Sequence, residues 1–232
     1  MPDSEPIDFY ASGATSRTYV APVVKRKHRR QFDDIFWRPA ECRSDMSFLE
    51  IGCGSGLFLA YLKEKGARDV VGVDQEKRVK DYMPPDLAAH VLTTTVDDYL
   101  CSKPERTFHR VAMFDVFEHF PPEEGVALLE RLRRFLTPDG RIVIRVPNMS
   151  SPWGPRHHFG DLTHRAAYTP DSLRQAAAAA GYELVQSLPV RRGRTLQRFL
   201  QRPVEKLAGL VLTESPKIWT ATFVAVLAPR CA

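Results

Sequence analysis

The chain has 232 residues, 44% of them hydrophobic, which suits one α/β domain with elaborations and a substantial core. No apolar run reaches the ~18 residues that a membrane-spanning helix needs, and the acids and prolines of Met1 to Asp8 argue against a secretory signal. The net charge of +5 gathers in two clusters, Lys25 to Arg30 and Arg191, Arg192, Arg194 and Arg198; each is read first as a solvated face, though such clusters also meet nucleic acid, anionic lipid or phosphorylated substrates.

Residues 1 to about 20 are polar and read as an arm. A basic helix is expected from Val23 to Phe36, with Phe32, Ile35 and Phe36 on one face. Arm and helix form an N-terminal piece, 1–46, ahead of a domain spanning 47–232. Phe48, Leu49 and Ile51 make a buried strand that breaks into glycines at Gly52, Gly54 and Gly56. Leu57, Phe58, Tyr61 and Leu62 then recur at helical spacing, and Gly66 is a credible C-cap. A strand entering a glycine turn that opens a helix is a nucleotide-binding geometry, since the backbone can approach a ligand and the helix N-terminus presents free N–H groups.

Asp69 to Val73 is the second strand, ending at Asp74 and Gln75. An acid at that tip bonds ribose hydroxyls in this architecture, or caps the next helix. A short helix ending near Pro84 and Pro85 precedes a third strand, His90 to Thr94. Val96, Asp97 and Asp98 open another helix. Arg110 to Phe114 is the fourth strand, followed by a helix from Pro121 and Pro122 to Leu136, with Leu128, Leu129, Leu132 and Phe135 inward. Pro138, Asp139 and Gly140 turn the chain into a fifth strand, Arg141 to Val146. Strands and helices alternating in this way define a doubly wound parallel sheet, whose ligands sit beyond the carboxyl ends of the strands. Pro170 to Ala180 is an alanine-rich helix stopped by Gly181; Tyr182 to Leu188 and Trp219 to Leu227 are the sixth and seventh strands. Between them, 195–212 carries an apolar face interrupted by Pro203, read as a cap helix or as one lying on a membrane surface.

Cys42, Cys53, Cys101 and Cys231 are scattered without a C-x-x-C pair, which points to reduced thiols in the cytosol and away from a cysteine-built zinc site. The loop fails the dinucleotide fingerprint G-x-G-x-x-G, because the third glycine position is Leu57. What stands there, Glu50-x-Gly52-x-Gly54-x-Gly56, resembles motif I of the class I S-adenosylmethionine-dependent methyltransferases. Phe114-Asp-Val-Phe-Glu-His-Phe120 and Leu136-Thr-Pro-Asp-Gly-Arg141 are similar to that family's D-x-x-E-H and L-x-P-G-G segments, with Asp139 in place of a glycine. Asp161-Leu-Thr-His164 and Tyr168-Thr-Pro-Asp-Ser-Leu173 resemble a D-x-T-H…T-P-x-S-L segment of bacterial methyltransferases of cell-surface polysaccharide and other small-molecule pathways.

The resemblance implies a seven-stranded Rossmann-like sheet of order 3-2-1-4-5-7-6 with strand 7 antiparallel, and S-adenosylmethionine as cofactor. It implies a loop of Glu50, Gly52, Cys53, Gly54 and Gly56 around the methionine part, Asp74 and Gln75 at the ribose, and Asp97 or Asp98 at the adenine, with Asp115 also at the cofactor. Trp153, His157, His158, Phe159 and Tyr168 are candidate substrate contacts. An acceptor hydroxyl gives up a proton, a task that imidazole suits; His119 and His164 are candidate bases, with Asp115 beside them. If Asp115 to His119 forms one helical turn, Asp115, Glu118 and His119 share a face, and with His164 they make a mixed O/N set for Mg²⁺ or Mn²⁺. This is similar to the metal site of small-RNA 2′-O-methyltransferases.

The expected function is methyl transfer to a small-molecule oxygen on a saccharide, a lipid-linked glycan or a pathway intermediate, by a cytoplasmic enzyme for which 195–212 is a candidate peripheral membrane contact. RNA methylation and a non-catalytic cofactor-binding or partner protein are the alternatives.

Overall fold

The computed structural model describes residues 20–102, 105–191, 193 and 195–230. The expected arm before residue 20, together with Arg192, Arg194 and Cys231, lies outside the described residues, as does the side chain of Arg198.

Seven strands form one sheet: β1 (Ser47–Ile51), β2 (Asp69–Asp74), β3 (Val91–Thr93), β4 (Phe108–Phe114), β5 (Leu136–Pro147), β6 (Tyr182–Pro189) and β7 (Thr222–Pro229). Their order is β3-β2-β1-β4-β5-β7-β6, parallel through β5, with β7 antiparallel to both β5 and β6. The central strands are near-continuous apolar runs because both faces are covered. Phe48, Ala112, Val143 and Val224 enter one core layer. Leu49, Val111, Met113, Ile142 and Ile144 enter the other, at the two-residue period of a strand.

The helices are α1 (Arg26–Phe32), α2 (Leu57–Glu64), α3 (Pro85–Ala88), α4 (Val96–Ser102), α5 (Pro122–Leu132), α6 (Gly154–His158), α7 (Pro170–Ala179) and α8 (Thr195–Val211). α1 runs on through a wider turn, Asp33–Trp37, and inserts Phe32 and Phe36 among Phe58 and Phe114. Its polar side is tied down by Arg29, which is bonded to Glu64 at 2.7 Å, and by Asp33, which accepts from Tyr61 at 2.7 Å and Lys65 at 3.0 Å. Part of the basic cluster is therefore structural.

Four details differ from the sequence pattern. The helix after Pro121 ends at Leu132, and β5 starts at Leu136 with Pro138, Asp139 and Gly140 inside it, because Leu136 pairs with Phe108 before the register shifts at Arg110. The short helix α3 was not expected. β7 begins at Thr222 and not Trp219, because the Asn148 amide donates to the Ile218 and Thr220 carbonyls (2.8 and 3.1 Å) and takes that segment out of the ladder. α8 passes through Pro203 without ending; Pro203 is exposed, where water can serve the carbonyl that proline leaves unbonded.

Candidate active site

The parallel register brings the carboxyl ends of β1, β2 and β4 to one level: Ile51 pairs with Val73 on one side and Met113 on the other. The chain beyond Ile51 turns tightly, with the Gly52 N–H donating to the Val73 carbonyl at 2.7 Å. Gly52 has φ +73, and a Cβ there would lie 2.3 Å from Val116 Cγ2, so the loop rests directly on the segment after β4. Gly54 has φ +49 with nothing within 4 Å of an added Cβ, so its face opens on space that a ligand can fill. Asp74 locks the loop to β2: its Oδ2 accepts from the Gly54 N–H at 2.7 Å and its Oδ1 from the Glu76 N–H at 2.9 Å. Gln75, next to it, is exposed.

Glu50 is 4% exposed, and its Oε2 has no hydrogen-bond partner. Burial, and secondarily the charge of Asp74, holds its carboxyl well above the usual range. A buried acceptor with no donor is a costly feature, and a donor from a ligand would satisfy it. Cys53 turns inward, its Sγ packed toward Gly72, and burial pushes its thiol up; its side chain fills space and only its backbone belongs to the loop.

The end of β4 departs from the helical turn considered from sequence. Asp115 has φ +57, a strained conformation for a non-glycine residue, and only Phe117–His119 forms a short 3₁₀ turn. Asp115 therefore does not share a helical face with Glu118 and His119. It makes a two-pronged ion pair with Arg145 of β5 instead, at 2.9 and 2.5 Å. The metal-capable group that does converge is His119, Asp161 and His164, whose ligand atoms all lie within 4.8 Å of one another. Asp161 stands in the set in place of Asp115, and Glu118, also expected, lies beside it and outside it; the D-x-x-H spacing of Asp161 to His164 was the available signal.

Glu118 is 1% exposed with both carboxylate oxygens unpartnered, and burial together with nearby Asp115 raises its pKa well above the ordinary value. His164 holds its Nδ1 on the His158 carbonyl at 2.8 Å and brings Nε2 to 3.9 Å from Glu118 Oε1 and 4.0 Å from Asp161 Oδ2. His119 Nδ1 lies 2.9 Å from Thr163 Oγ, which donates to Asp161 Oδ1 at 2.6 Å. The two rings stand edge to face with centroids 4.7 Å apart. With Asp115, Pro147, Arg156, His157, Gly160 and Thr222 they line a cleft of about 320 Å³.

The segment after β5 is a short helix, α6, in place of an open loop. It sends His157 into the cleft, while Trp153 and His157 line an adjoining groove with Thr222 and Gln201. Phe159 is exposed and edge-on to His158 at 4.9 Å. Two expected substrate contacts are instead internal. His158 is 7% exposed, turned in by the helix, and burial lowers its pKa. Tyr168 is 4% exposed, because its ring packs on Phe117 at 5.2 Å in the core below the cleft. Asp97 is committed to an ion pair with Arg131 of α5, and Asp98 accepts from Thr95 at 2.8 Å at the start of α4.

A family model described as a methyltransferase domain matches residues 23–187. The chain belongs to that family and is an S-adenosylmethionine-dependent methyltransferase of class I. A search of curated proteins finds no match. Among solved structures it is similar to a SAM-dependent methyltransferase from Archaeoglobus fulgidus (TM-score 0.65, 22% identity, covering 87% of this chain and 90% of that one). It is also similar to a chain of the Haloferax volcanii complex between the Trm112 methyltransferase activator and a methyltransferase (TM-score 0.61, 15% identity, 98% and 100% covered). A third is the plantazolicin methyltransferase BpumL, solved with a desmethyl plantazolicin analogue and S-adenosylhomocysteine (TM-score 0.57, 16% identity, 87% and 82% covered). At these identities the likenesses show the fold.

Proposed function

We propose that this enzyme methylates a hydroxyl oxygen of a small molecule held in the cleft between the end of β4 and α6. The observation that carries this reading is the convergence of His119, His164 and the buried Glu118 on one cleft beside the glycine loop. When bound, S-adenosylmethionine supplies an electrophilic methyl group on a sulfonium, and the sulfide left behind needs no acid. Glu50 Oε2 would accept from the cofactor's amino group, the Gly52–Gly56 loop would follow its methionine part, and Asp74 would accept from ribose hydroxyls; the unpartnered Glu50 oxygen and the open face of Gly54 support this reading.

As the acceptor oxygen takes the methyl group, its hydroxyl proton would pass to the imidazole–carboxylate cluster of His119, His164 and Glu118. The His158 carbonyl can only accept, so His164 carries its proton on Nδ1 and presents the Nε2 lone pair toward the cleft. In-line attack gains chiefly from holding the acceptor in place, which His157, Arg156 and Thr222 are positioned to do.

A saccharide carried on a lipid is the acceptor class that best suits the surroundings. Leu200, Val204, Leu207 and Leu210 of α8 are exposed, as are Trp153, Phe159 and Leu162 around α6. The groove between Gln201 and Trp153 shares His157 and Thr222 with the acceptor cleft. Among the described residues no helix is long and apolar enough to cross a membrane, so contact through α8 would be peripheral, from the cytoplasmic side. A methylation screen with lipid-linked and free saccharides tests this reading: turnover on neither, alongside turnover on phenols or RNA, would redirect it.

A further inference from the structure

We propose that the floor of this cleft is a divalent-cation site, built by His119, Asp161 and His164 with Glu118 beside them. The site stands on its own residues; its part in catalysis rests on reading the cleft as the acceptor's.

The first argument is distance. His164 Nε2 lies 3.9 Å from Glu118 Oε1 and 4.0 Å from Asp161 Oδ2. Both separations are too long for a hydrogen bond. They suit donors around a shared centre, since ligands each ~2.1 Å from a metal stand roughly 3 to 4.2 Å apart. The ligand atoms of His119, Asp161 and His164 all fall within 4.8 Å, so closing on a cation asks for a contraction of well under one rotamer change.

The second argument is charge. Glu118 is 1% exposed, and neither of its oxygens has a hydrogen-bond partner. Its charged neighbours include two further acids, Asp115 and Asp161. The nearby cation, Arg145, is already held by both oxygens of Asp115. A buried carboxyl with neither oxygen hydrogen-bonded lacks the partner that a cation between it and His164 would supply.

The third argument is orientation. Metal-binding imidazoles characteristically donate from the other ring nitrogen to a carbonyl or a carboxylate-linked group, which fixes tautomer and direction. His164 does so through Nδ1 to the His158 carbonyl at 2.8 Å. Thr163 serves both remaining ligands: its Oγ is 2.9 Å from His119 Nδ1, and its N–H and Oγ–H donate to Asp161 Oδ1 at 2.9 and 2.6 Å. One threonine thus sets His119 and Asp161 while its chain neighbour supplies His164.

Two imidazoles with carboxylates favour Mn²⁺, Fe²⁺ or Zn²⁺ over Ca²⁺ or Mg²⁺. A cation here lowers the pKa of an acceptor hydroxyl bound to it, and His119 and His164 then act as ligands while the proton leaves to solvent or to Glu118.

The test is a titration of tag-free, chelator-treated protein with MnCl₂, following the free-ion signal by electron paramagnetic resonance. Calorimetry with S-adenosylhomocysteine runs on the same samples. The expected result is a single saturable Mn²⁺ site, weakened roughly tenfold or more by Asp161→Asn and by His164→Gln, and unchanged by His90→Gln on the far edge of the sheet. Asp161→Asn keeps the shape of the side chain, so it answers the question even where His164→Gln folds poorly. Absent Mn²⁺ binding, or equal binding in wild type and Asp161→Asn, overturns the cation site, while normal S-adenosylhomocysteine binding in the same samples keeps the methyltransferase reading. Cation binding without cofactor binding would support the site and count against that reading.

Discussion

Replacing Glu50 by glutamine separates the cost of the cofactor loop from its use. The carboxyl is 4% exposed, has an unpartnered Oε2 and lies near the charge of Asp74, so its folded pKa stands well above the ordinary glutamate value of 4.5. In the window between that value and the raised folded pKa, the folded state binds more protons than the unfolded one. Stability contributed by this group is therefore full below about pH 4.5 and falls as pH rises, by at most about 1.4 kcal/mol per pH unit. Glutamine keeps the shape and cannot ionise, so the variant should lose this pH dependence and be the more stable protein at neutral pH. For a chain of this size, each kcal/mol recovered raises Tm by roughly 2–4 °C. The same change removes a carboxyl that would ionise against the cofactor's ammonium group on binding, and affinity for S-adenosylhomocysteine should fall about ten- to hundredfold, matching a loss of about 1.5–3 kcal/mol. Thermal melts from pH 5 to 8 and calorimetric titration read the two effects. A variant less stable at neutral pH that binds the ligand as well as wild type would refute the reasoning.

Gly54→Val places a β-branched side chain at φ +49 and fills the open space above the loop; S-adenosylhomocysteine binding should be lost while circular dichroism stays native, and normal affinity would remove the loop from the cofactor site. His164→Ala should lower kcat about a hundredfold or more with cofactor affinity intact, and unchanged turnover on the true acceptor would exclude it from the reaction. Leu207→Glu with Leu210→Glu puts charge on the exposed face of α8, so co-sedimentation with anionic vesicles should drop several-fold; equal sedimentation of both proteins would leave α8 as a cap without a lipid partner.

The sheet was readable because β1, β4 and β5 are continuous apolar runs bounded by turn residues, the signature of strands covered on both faces. The glycine loop and Asp74 were readable because their spacing is local. Side chains that depend on distant partners were harder to place. Nothing near Asp115 in sequence announces its positive φ or its pair with Arg145, thirty residues on. Tyr168 and His158 have the chemistry of substrate contacts, yet α6 and the packing on Phe117 turn them inward. Asp97 looked placed for adenine until the fold set Arg131 beside it. The link from His119 through Thr163 to Asp161 spans 44 positions, and only the folded chain shows it. The short helix α3 lacked a periodic apolar stripe long enough to signal itself.

The most direct test of the account is calorimetric titration of the folded protein with S-adenosylhomocysteine. Saturable binding in the micromolar range, abolished by Gly54→Val, is the predicted result. Absence of binding in protein with a cooperative thermal transition would contradict it, and the glycine loop would then be a structural turn serving some other ligand.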